Sequence, residues 1–233
     1  MRRQGTVAMK EGSKIKKLKR GRGRPAATDP SGDDLRDLVI SAATEVYAEQ
    51  GYGGTSVQKI LAVSGVSRPT FYRLFKDRHE VIEAIVARAN DDLSGMVSKS
   101  VLEAASMPEL VNAAIDGYFA WADSIGPLIR PIYQEIHDPE SPASTHRARI
   151  LEELTAQFRS AMGALGRPQI DPLLLDALLR VIEHVGHQAF TSTGNRKNVL
   201  AHHRQVIYRV AVASLALPDE YEAIPPLPAI PKT

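Results

Sequence analysis

Residues 55–80 combine hydroxyl, basic and aromatic side chains at spacings that suit contact with nucleic acid. Two short segments meet at Gly65, whose tolerance of positive φ allows the tight turn of a helix-turn-helix. The second segment opens with Ser67, Arg68 and Thr70; an arginine there can meet a guanine edge, and a threonine methyl can meet a thymine. Side chains placed for phosphates follow, namely Tyr72, Arg73, Lys76 and Arg78. This arrangement predicts insertion into a DNA major groove.

The other side of these two segments is apolar and is predicted to pack inward. Its members are Val57, Ile60, Leu61, Val66, Phe71, Leu74 and Phe75. Thr55 followed by Gln58 fits a capping box, so a short helix should begin there and end near Val63. Ser67 can cap the next helix, whose first turn tolerates Pro69. The alternative, a plain helical hairpin with a solvated basic face, does not require this turn, these caps and this charge distribution together.

Helical spacing of apolar residues continues on both sides of this unit. A stripe that recurs every three or four positions predicts a first helix ending near Gly51. The stripe comprises Leu35, Leu38, Val39, Ala42, Ala43, Val46 and Tyr47. A fourth helix begins near Asp77, and further helical patterns follow at about 106–122, 143–165, 171–191 and 198–217. Strand-like alternation is absent from the sequence, so we predict an all-α fold with an N-terminal three-helix helix-turn-helix domain and a C-terminal helical domain.

Composition divides the chain into four parts. We predict a disordered basic arm at residues 1–32, a helix-turn-helix domain at 33–80, a helical domain at 81–217 and a proline-rich tail at 218–233, which is expected to be irregular. Residues 1–25 hold ten Lys or Arg against a single acid, a balance of +9 that leaves −7 for the rest of a chain of net charge +2. A basic arm on an acidic body indicates a polyanionic partner.

The arm contains Arg20-Gly21-Arg22-Gly23-Arg24-Pro25, which resembles the core of an AT-hook. Arg24 precedes proline and is biased towards an extended backbone, and Gly23 allows close approach. Arginines suit the narrow, strongly negative minor groove of A·T-rich DNA, so Arg20, Arg22 and Arg24 are predicted to enter it beside the major-groove site. The alternative is a disordered, solvated tail.

Residues 51–78 as a whole resemble the N-terminal signature of tetracycline-repressor (TetR) family regulators. The resemblance lies in the glycine break, the paired hydroxyls of Thr55 and Ser56, the Ser-Gly-Val-Ser turn at 64–67 and the aromatic pair before the fourth helix. It covers about residues 33–90, and the remainder fits the family only in length and class. It implies a homodimer that reads a palindromic operator, and a C-terminal domain that binds an effector and dimerises.

The resemblance also carries over contacts residue by residue. Thr55 or Ser56, Tyr72 and Arg78 would contact phosphates, and the residues facing bases would be Arg68, Pro69 and Thr70. Arg78 stands where the family more often has lysine, which keeps the charge but changes the donor geometry. With Ser67, Arg73, Lys76 and the arm arginines, these residues are the predicted DNA-binding set.

Aromatic and polar residues cluster in the C-terminal half, where the resemblance implies an effector. A pocket of apolar rings with a few polar groups is what a small, rather apolar effector requires. The predicted lining residues are Tyr118, Trp121, Tyr133, His137, His184, His187 and Phe190. The alternative is that each is an ordinary core or interface residue.

The last two helices carry two apolar series that could pair with the same helices of a second chain. The series are Leu174, Leu178, Val181, Val185 and Val206, Val210, Ala213, Leu217. They would form a four-helix homodimer interface, which the family also implies. Burial within a single chain is the alternative.

Other function classes find little support in the sequence. Cysteine is absent, the pair His202 and His203 and the pair His184 and His187 lack the spacing of zinc proteases, and no Gly-x-Ser-x-Gly elbow occurs. We therefore expect no metal, no cofactor and no enzymatic activity. An apolar run long enough to span a membrane is also missing, and the cytoplasm is the expected location. The functional alternative to an effector-controlled regulator is an architectural DNA-binding protein dominated by the arm.

Overall fold

The computed structural model describes residues 31–228, and these residues are helical almost throughout. Nine α-helices occur between them, with two short 3₁₀ turns at Gly126–Leu128 and Pro218–Ala223. The α-helices are α1 Gly32–Gly54, α2 Val57–Ser64, α3 Arg68–Leu74, α4 Arg78–Leu102, α5 Met107–Ile125, α6 Ile129–Glu135, α7 Pro142–Ala164, α8 Pro172–Thr191 and α9 Arg196–Leu215. The prediction of an all-α fold with an N-terminal helix-turn-helix is confirmed. In the span from 31 to 228, each helix is too short or too polar to cross a bilayer.

Helix α1 begins inside the segment predicted as the basic arm. The hydroxyl of Ser31 accepts from the Asp34 amide at 3.1 Å, and the Asp34 carboxylate accepts from the Ser31 amide at 2.8 Å. This reciprocal pair is a capping box, so residues 31 and 32 belong to α1 rather than to the arm. Residues 1–30 of the predicted arm, with Arg20, Arg22 and Arg24, lie outside the described residues.

The helix-turn-helix follows the predicted turns, with one error at the start of α2. Gly51 breaks α1 at φ 67°, and Gly65 ends α2 at φ 68°, where a side chain would be strained. Ser67 caps α3 as predicted, accepting from the Thr70 amide at 3.3 Å. The predicted capping box of Thr55 and Gln58 is wrong, because Ser56 caps α2 instead.

Two apolar clusters form the interior, and α4 contributes to both. The first gathers α1, α2, α3 and residues 81–89 of α4, and its largest fully buried side chains include Tyr47, Phe71 and Phe75. The second gathers residues 93–101 of α4 with α5, α7, α8 and α9. Of the predicted α1 stripe, Leu38 is 41% exposed and does not belong to the core. The division of the chain at residue 80 stays a prediction.

The proline-rich tail is not wholly irregular. Residues 218–223 form a 3₁₀ turn, against the prediction, because Glu220 accepts from the Leu217 amide at 2.8 Å and pairs with Arg167. Arg167 also donates to the Leu215 carbonyl at 2.6 Å. These contacts hold the beginning of the tail against the end of α9.

Candidate nucleic-acid interface and interior cavity

The first turns of α3 present an exposed polar surface on a buried aromatic base. Arg68, Pro69 and Arg73 are exposed, as is Tyr72 at 49%, whereas Phe71 is fully buried on the opposite face. Lys76 is also exposed, just beyond the helix. Because Phe71 fixes the rotation of α3 about its axis, this polar face is held outward. The predicted base and phosphate contacts on α3 therefore share one surface, and their contact with DNA stays a prediction.

Ser67 and Thr70 are held by each other at the start of α3. Their hydroxyls lie 2.8 Å apart, and Ser67 also caps the Thr70 amide. The threonine hydroxyl thus has a partner within the protein, and a threonine methyl group can contact a thymine methyl. This geometry suits the predicted thymine contact of Thr70.

Thr55, which the resemblance offers with Ser56 as an alternative phosphate contact, is not at the surface. Only 1% of it is exposed, and its hydroxyl donates to the Gly51 carbonyl at 2.7 Å. The Gly51 carbonyl also accepts from the Thr55 amide at 3.1 Å, so the side chain and the backbone of Thr55 both satisfy this carbonyl at the helix end. A phosphate cannot reach the Thr55 hydroxyl, so Ser56 is the candidate of the pair.

Arg78 has an internal role that the sequence did not reveal. Its Nη1 donates to the carbonyls of Tyr52 at 2.8 Å and Thr55 at 2.6 Å, and its guanidinium lies 4.5 Å from the centre of the Tyr52 ring. The Tyr52 hydroxyl is 2.9 Å from Nδ1 of His79. Arg78 thus fastens the loop between α1 and α2 to α4. Its predicted phosphate contact remains a prediction.

Glu135, at the end of α6, receives three hydrogen bonds around the glycine break. It accepts from the Tyr47 hydroxyl at 2.9 Å, the Tyr52 amide at 2.6 Å and the Ser141 hydroxyl at 2.8 Å. Burial, and then the charge of Glu135, raise the pKa of Tyr47 above its ordinary value. Sequence reasoning missed Glu135, whose partners on α1 lie more than 80 positions away.

An interior cavity of about 60 Å³ lies among α4, α5, α6, α7 and α8. Most of its wall is aliphatic or aromatic. The lining residues are Asn90, Leu93, Val97, Ala114, Tyr118, Trp121, Ile129, Ile132, Tyr133, Ile136, Ala143, Arg147, Ile150, Leu151, Leu154, Phe158, Leu179, Ile182 and Glu183. An apolar wall with a few polar groups is the composition of a small-molecule site.

The charged part of the wall is an ion pair between α7 and α8. Arg147 donates to Glu183 through Nη2 at 2.6 Å and through Nε at 3.1 and 3.2 Å. The Tyr118 hydroxyl donates to the Glu183 backbone carbonyl at 3.1 Å. Burial and then Glu183 raise the pKa of Tyr118. A Cβ at Gly186 would overlap the Tyr118 ring, so only glycine lets this ring lie against α8.

The seven predicted effector contacts fall into two groups. Tyr118, Trp121 and Tyr133 line the cavity. The four that do not line it are His137, His184, His187 and Phe190. His137 is exposed. Phe190 borders a separate open groove of about 410 Å³ near the start of α9.

His184 and His187 lie behind Tyr133 rather than in the cavity wall. The His187 ring stacks on Tyr133 at 4.0 Å between centres, and Nδ1 of His184 is 2.6 Å from the Tyr133 hydroxyl. Burial and then the neighbouring His184 lower the pKa of His187. These histidines position Tyr133. Among the described residues, no group of three or more His, Asp or Glu side chains is arranged to hold a metal.

The outer face of α8 and α9 leaves apolar side chains exposed. Leu173 is 73%, Leu174 38% and Val210 37% exposed. In α9 the buried residues are Ile207 and Ala211. Leu178, in the predicted interface series, is instead buried in the chain's own core, because its side of α8 faces α5 and α7.

Comparisons with known proteins agree with this geometry. Residues 39–85, from α1 into α4, match the family described as bacterial regulatory proteins, tetR family. The transcriptional activator FasR of Mycolicibacterium smegmatis is 26% identical over 121 residues, covering 50% of this chain and 55% of FasR. The transcriptional repressor DhaR of Mycobacterium sp. is 28% identical over 155 residues, covering 62% of this chain and 77% of DhaR. The match thus spans about half the length of the first of these relatives.

Solved structures show the same fold over more of the chain. A TetR-family regulator from Syntrophomonas wolfei superposes with a TM-score of 0.64 at 13% identity, over 78% of this chain and 97% of that one. The fatty acid degradation regulator FadR of Bacillus halodurans gives a TM-score of 0.61 at 16% identity, over 75% and 94% of the two chains. At such identities the likeness concerns the fold alone.

Proposed function

We propose that this chain, whose residues 39–85 match the family described as bacterial regulatory proteins, tetR family, represses transcription as a homodimer on a palindromic operator. A small, largely apolar effector in the interior cavity releases it. The observation that carries this proposal is the polar face of α3, held outward by Phe71 and physically connected to a cavity. Such a regulator acts in the cytoplasm, and it is not an enzyme.

Helix α6 supplies the connection between the cavity and the DNA-binding part. Ile132 and Tyr133 of α6 line the cavity, and Glu135 of the same helix binds the glycine break of α1. A ligand that displaces α6 must therefore shift or break the bonds of Glu135 to α1. Since α1 packs on α2 and α3, the angle at which α3 meets DNA changes with the position of α6.

The size of the cavity supports a coupled change of shape. A volume of about 60 Å³ accommodates roughly two water molecules, whereas drug-sized ligands occupy about 300 Å³ or more. An effector must therefore bind a form in which α6 and its neighbours have moved outward. A ligand shifts a conformational equilibrium only by its preference for one form, and the expanded form is the one it prefers.

The exposed apolar face of α8 and α9 supports the dimer. Leu173 and Leu174 on α8 and Val210 on α9 are exposed apolar side chains that a second copy of these helices would cover. Two copies would present two α3 helices to one palindrome. The alternative of an architectural protein is not favoured, because it gives no role to a cavity connected to the DNA-binding part.

A footprint on the DNA flanking the protein's own gene tests this proposal. We expect a protected palindrome bound ~10³-fold or more tightly than unrelated DNA at the same salt concentration. Equal affinity for both DNAs would reject a specific regulator and favour the architectural alternative. Analytical ultracentrifugation of the same sample checks the dimer, which a monomeric protein at the footprinting concentration would contradict.

The basic arm is proposed to grip the minor groove beside the operator. Deleting residues 1–25 removes ten cationic side chains, so we expect weaker binding to all DNA and a flatter salt dependence. The logarithmic slope should shrink by about 0.9 for each phosphate that the arm no longer neutralises. The preferred major-groove sequence should stay the same, since α3 is intact. A salt titration by fluorescence anisotropy measures the slope, and an unchanged slope and affinity would refute a role for the arm.

A further inference from the structure

The cavity wall contains one cationic and one anionic side chain, and these two form an ion pair with each other. Arg147 on α7 and Glu183 on α8 are the residues of opposite charge among the lining side chains. All other lining residues are uncharged. Arg147 donates to Glu183 through Nε and Nη2, so a ligand carboxylate can take these two donors only by replacing Glu183.

The two partners differ in how easily each can leave. The Arg147 side chain is 10% exposed and enclosed by the wall, whereas that of Glu183 is 23% exposed and lies nearer solvent. A buried charge left without a partner costs several kcal/mol, so Arg147 needs a carboxylate-like group at all times. Glu183 can instead turn towards water. The Tyr118 hydroxyl donates to the backbone carbonyl of Glu183, and this bond holds α8 in place while the Glu183 side chain turns.

From this asymmetry we propose that the effector is an anionic amphiphile, an apolar chain ending in a carboxylate that replaces Glu183 on Arg147. This inference rests on the proposed function and names the ligand class of its cavity. The exchange leaves the buried arginine with one carboxylate before and after, while Glu183 gains hydration. A guanidinium donates to a ligand carboxylate in the same forked geometry in which Arg147 donates to Glu183. The aliphatic wall then takes the chain.

Two other ligand types fit less well. A neutral amphiphile leaves the ion pair intact and gains no hydrogen bond from the Nε and Nη2 donors that Glu183 already uses. A cationic amphiphile would have to displace Arg147, the enclosed partner, into the wall. The order of affinity for matched chains should therefore be carboxylate, then alcohol, then ammonium.

Calorimetric titration of the full chain with decanoate, decan-1-ol and decyltrimethylammonium tests this order. We expect decanoate to bind at least tenfold more tightly than decan-1-ol, and the ammonium to bind most weakly. Glu183→Gln should tighten decanoate about tenfold and leave decan-1-ol unchanged, because the competing carboxylate is gone. Acids of eight to sixteen carbons with their alcohols extend the comparison to other chain lengths.

A double variant avoids misfolding as an explanation, because Arg147→Met alone would leave the Glu183 carboxylate without its ion-pair partner. The double variant Arg147→Met, Glu183→Met replaces the pair by apolar side chains of similar length, a change that buried ion pairs often tolerate. We expect it to lose the preference for decanoate over decan-1-ol while its melting temperature stays close to that of the native protein. A retained preference would show that the carboxylate does not bind Arg147.

The outcomes separate this inference from the proposed function. If alcohols bind as tightly as acids at every chain length, or if neither binds, the carboxylate class is wrong. The footprint is measured without ligand. If the protein protects a specific palindrome but binds none of the acids, the proposed regulator is supported and only the carboxylate class is rejected. Absence of a specific footprint rejects the regulator whatever the acids do.

Discussion

Glu135→Ala is expected to destabilise the protein by about 3–5 kcal/mol. Three hydrogen bonds to its carboxylate disappear. Bonds to a charged group contribute roughly 1.5–3 kcal/mol each, and the expected loss is below their sum because contributions that share one acceptor group do not add. The Tyr47 hydroxyl would be left without its partner on a residue that is fully buried. Urea denaturation of the full chain measures the loss. DNA affinity should fall as well, because Glu135 holds the point where α1 meets the helix-turn-helix.

Two further variants make this test specific. Glu135→Gln keeps the shape but replaces one acceptor oxygen by a donor, so we expect about half the loss of the alanine variant. Glu140 is exposed and its side chain makes no hydrogen bond to a described residue. Glu140→Ala should therefore stay within about 0.5 kcal/mol of the native protein. An alanine variant of Glu135 as stable as that of Glu140 would disprove the connection.

Arg78→Lys is expected to cost about 1–2 kcal/mol of stability, and Arg78→Met about 2–3 kcal/mol. The lysine keeps the charge, but its ammonium is one bond shorter and cannot lie flat on the Tyr52 ring. The carbonyls of Tyr52 and Thr55 would lose their shared donor. Thermal denaturation measures both variants, and DNA affinity should fall in parallel with stability because the loop before α2 loosens.

Lys76 provides the contrast that distinguishes a phosphate contact from an internal one. Its side chain is exposed, so Lys76→Met should leave stability unchanged, weaken binding to all DNA and reduce the salt slope by about 1. If Arg78 acts only on a phosphate, Arg78→Lys will keep both its stability and its salt slope. That result would reject the internal role assigned to Arg78.

The parts of the fold that the sequence predicted are those set by neighbouring residues. Gly65 requires a positive φ and Ser67 caps the next helix, and both effects act within four positions. The wrong prediction of Thr55 as the helix cap also concerns neighbouring residues, because Ser56 is an equally good cap one residue later. Burial then decided between them: Thr55 is buried and bonds to Gly51 inside the domain, while Ser56 is only half-buried.

The parts that the sequence did not predict depend on distant partners. Glu135 lies in a proline-punctuated segment with no clear helical pattern, and its bonds to α1 exist only in the folded chain. Arg147 and Glu183 are 36 residues apart, on helices whose relative rotation the pattern does not fix. The same limit applies to His184 and His187. Their helical spacing predicted that they lie together, but it could not show that Tyr133 separates them from the cavity.

The long helix α4 determines how cooperatively the protein unfolds. Its 25 residues extend about 37 Å at 1.5 Å per residue. Residues 81–89 are buried with α1, α2 and α3, while residues 93–101 are buried with α5, α7, α8 and α9. Neither half can lose its packing without exposing apolar surface that belongs to the other. Heating should therefore produce one cooperative transition with a single heat-absorption peak. A fragment that ends at residue 80 would lack the buried side chains of Val81, Ile82 and Val86, so we expect that it would not fold as an independent DNA-binding domain.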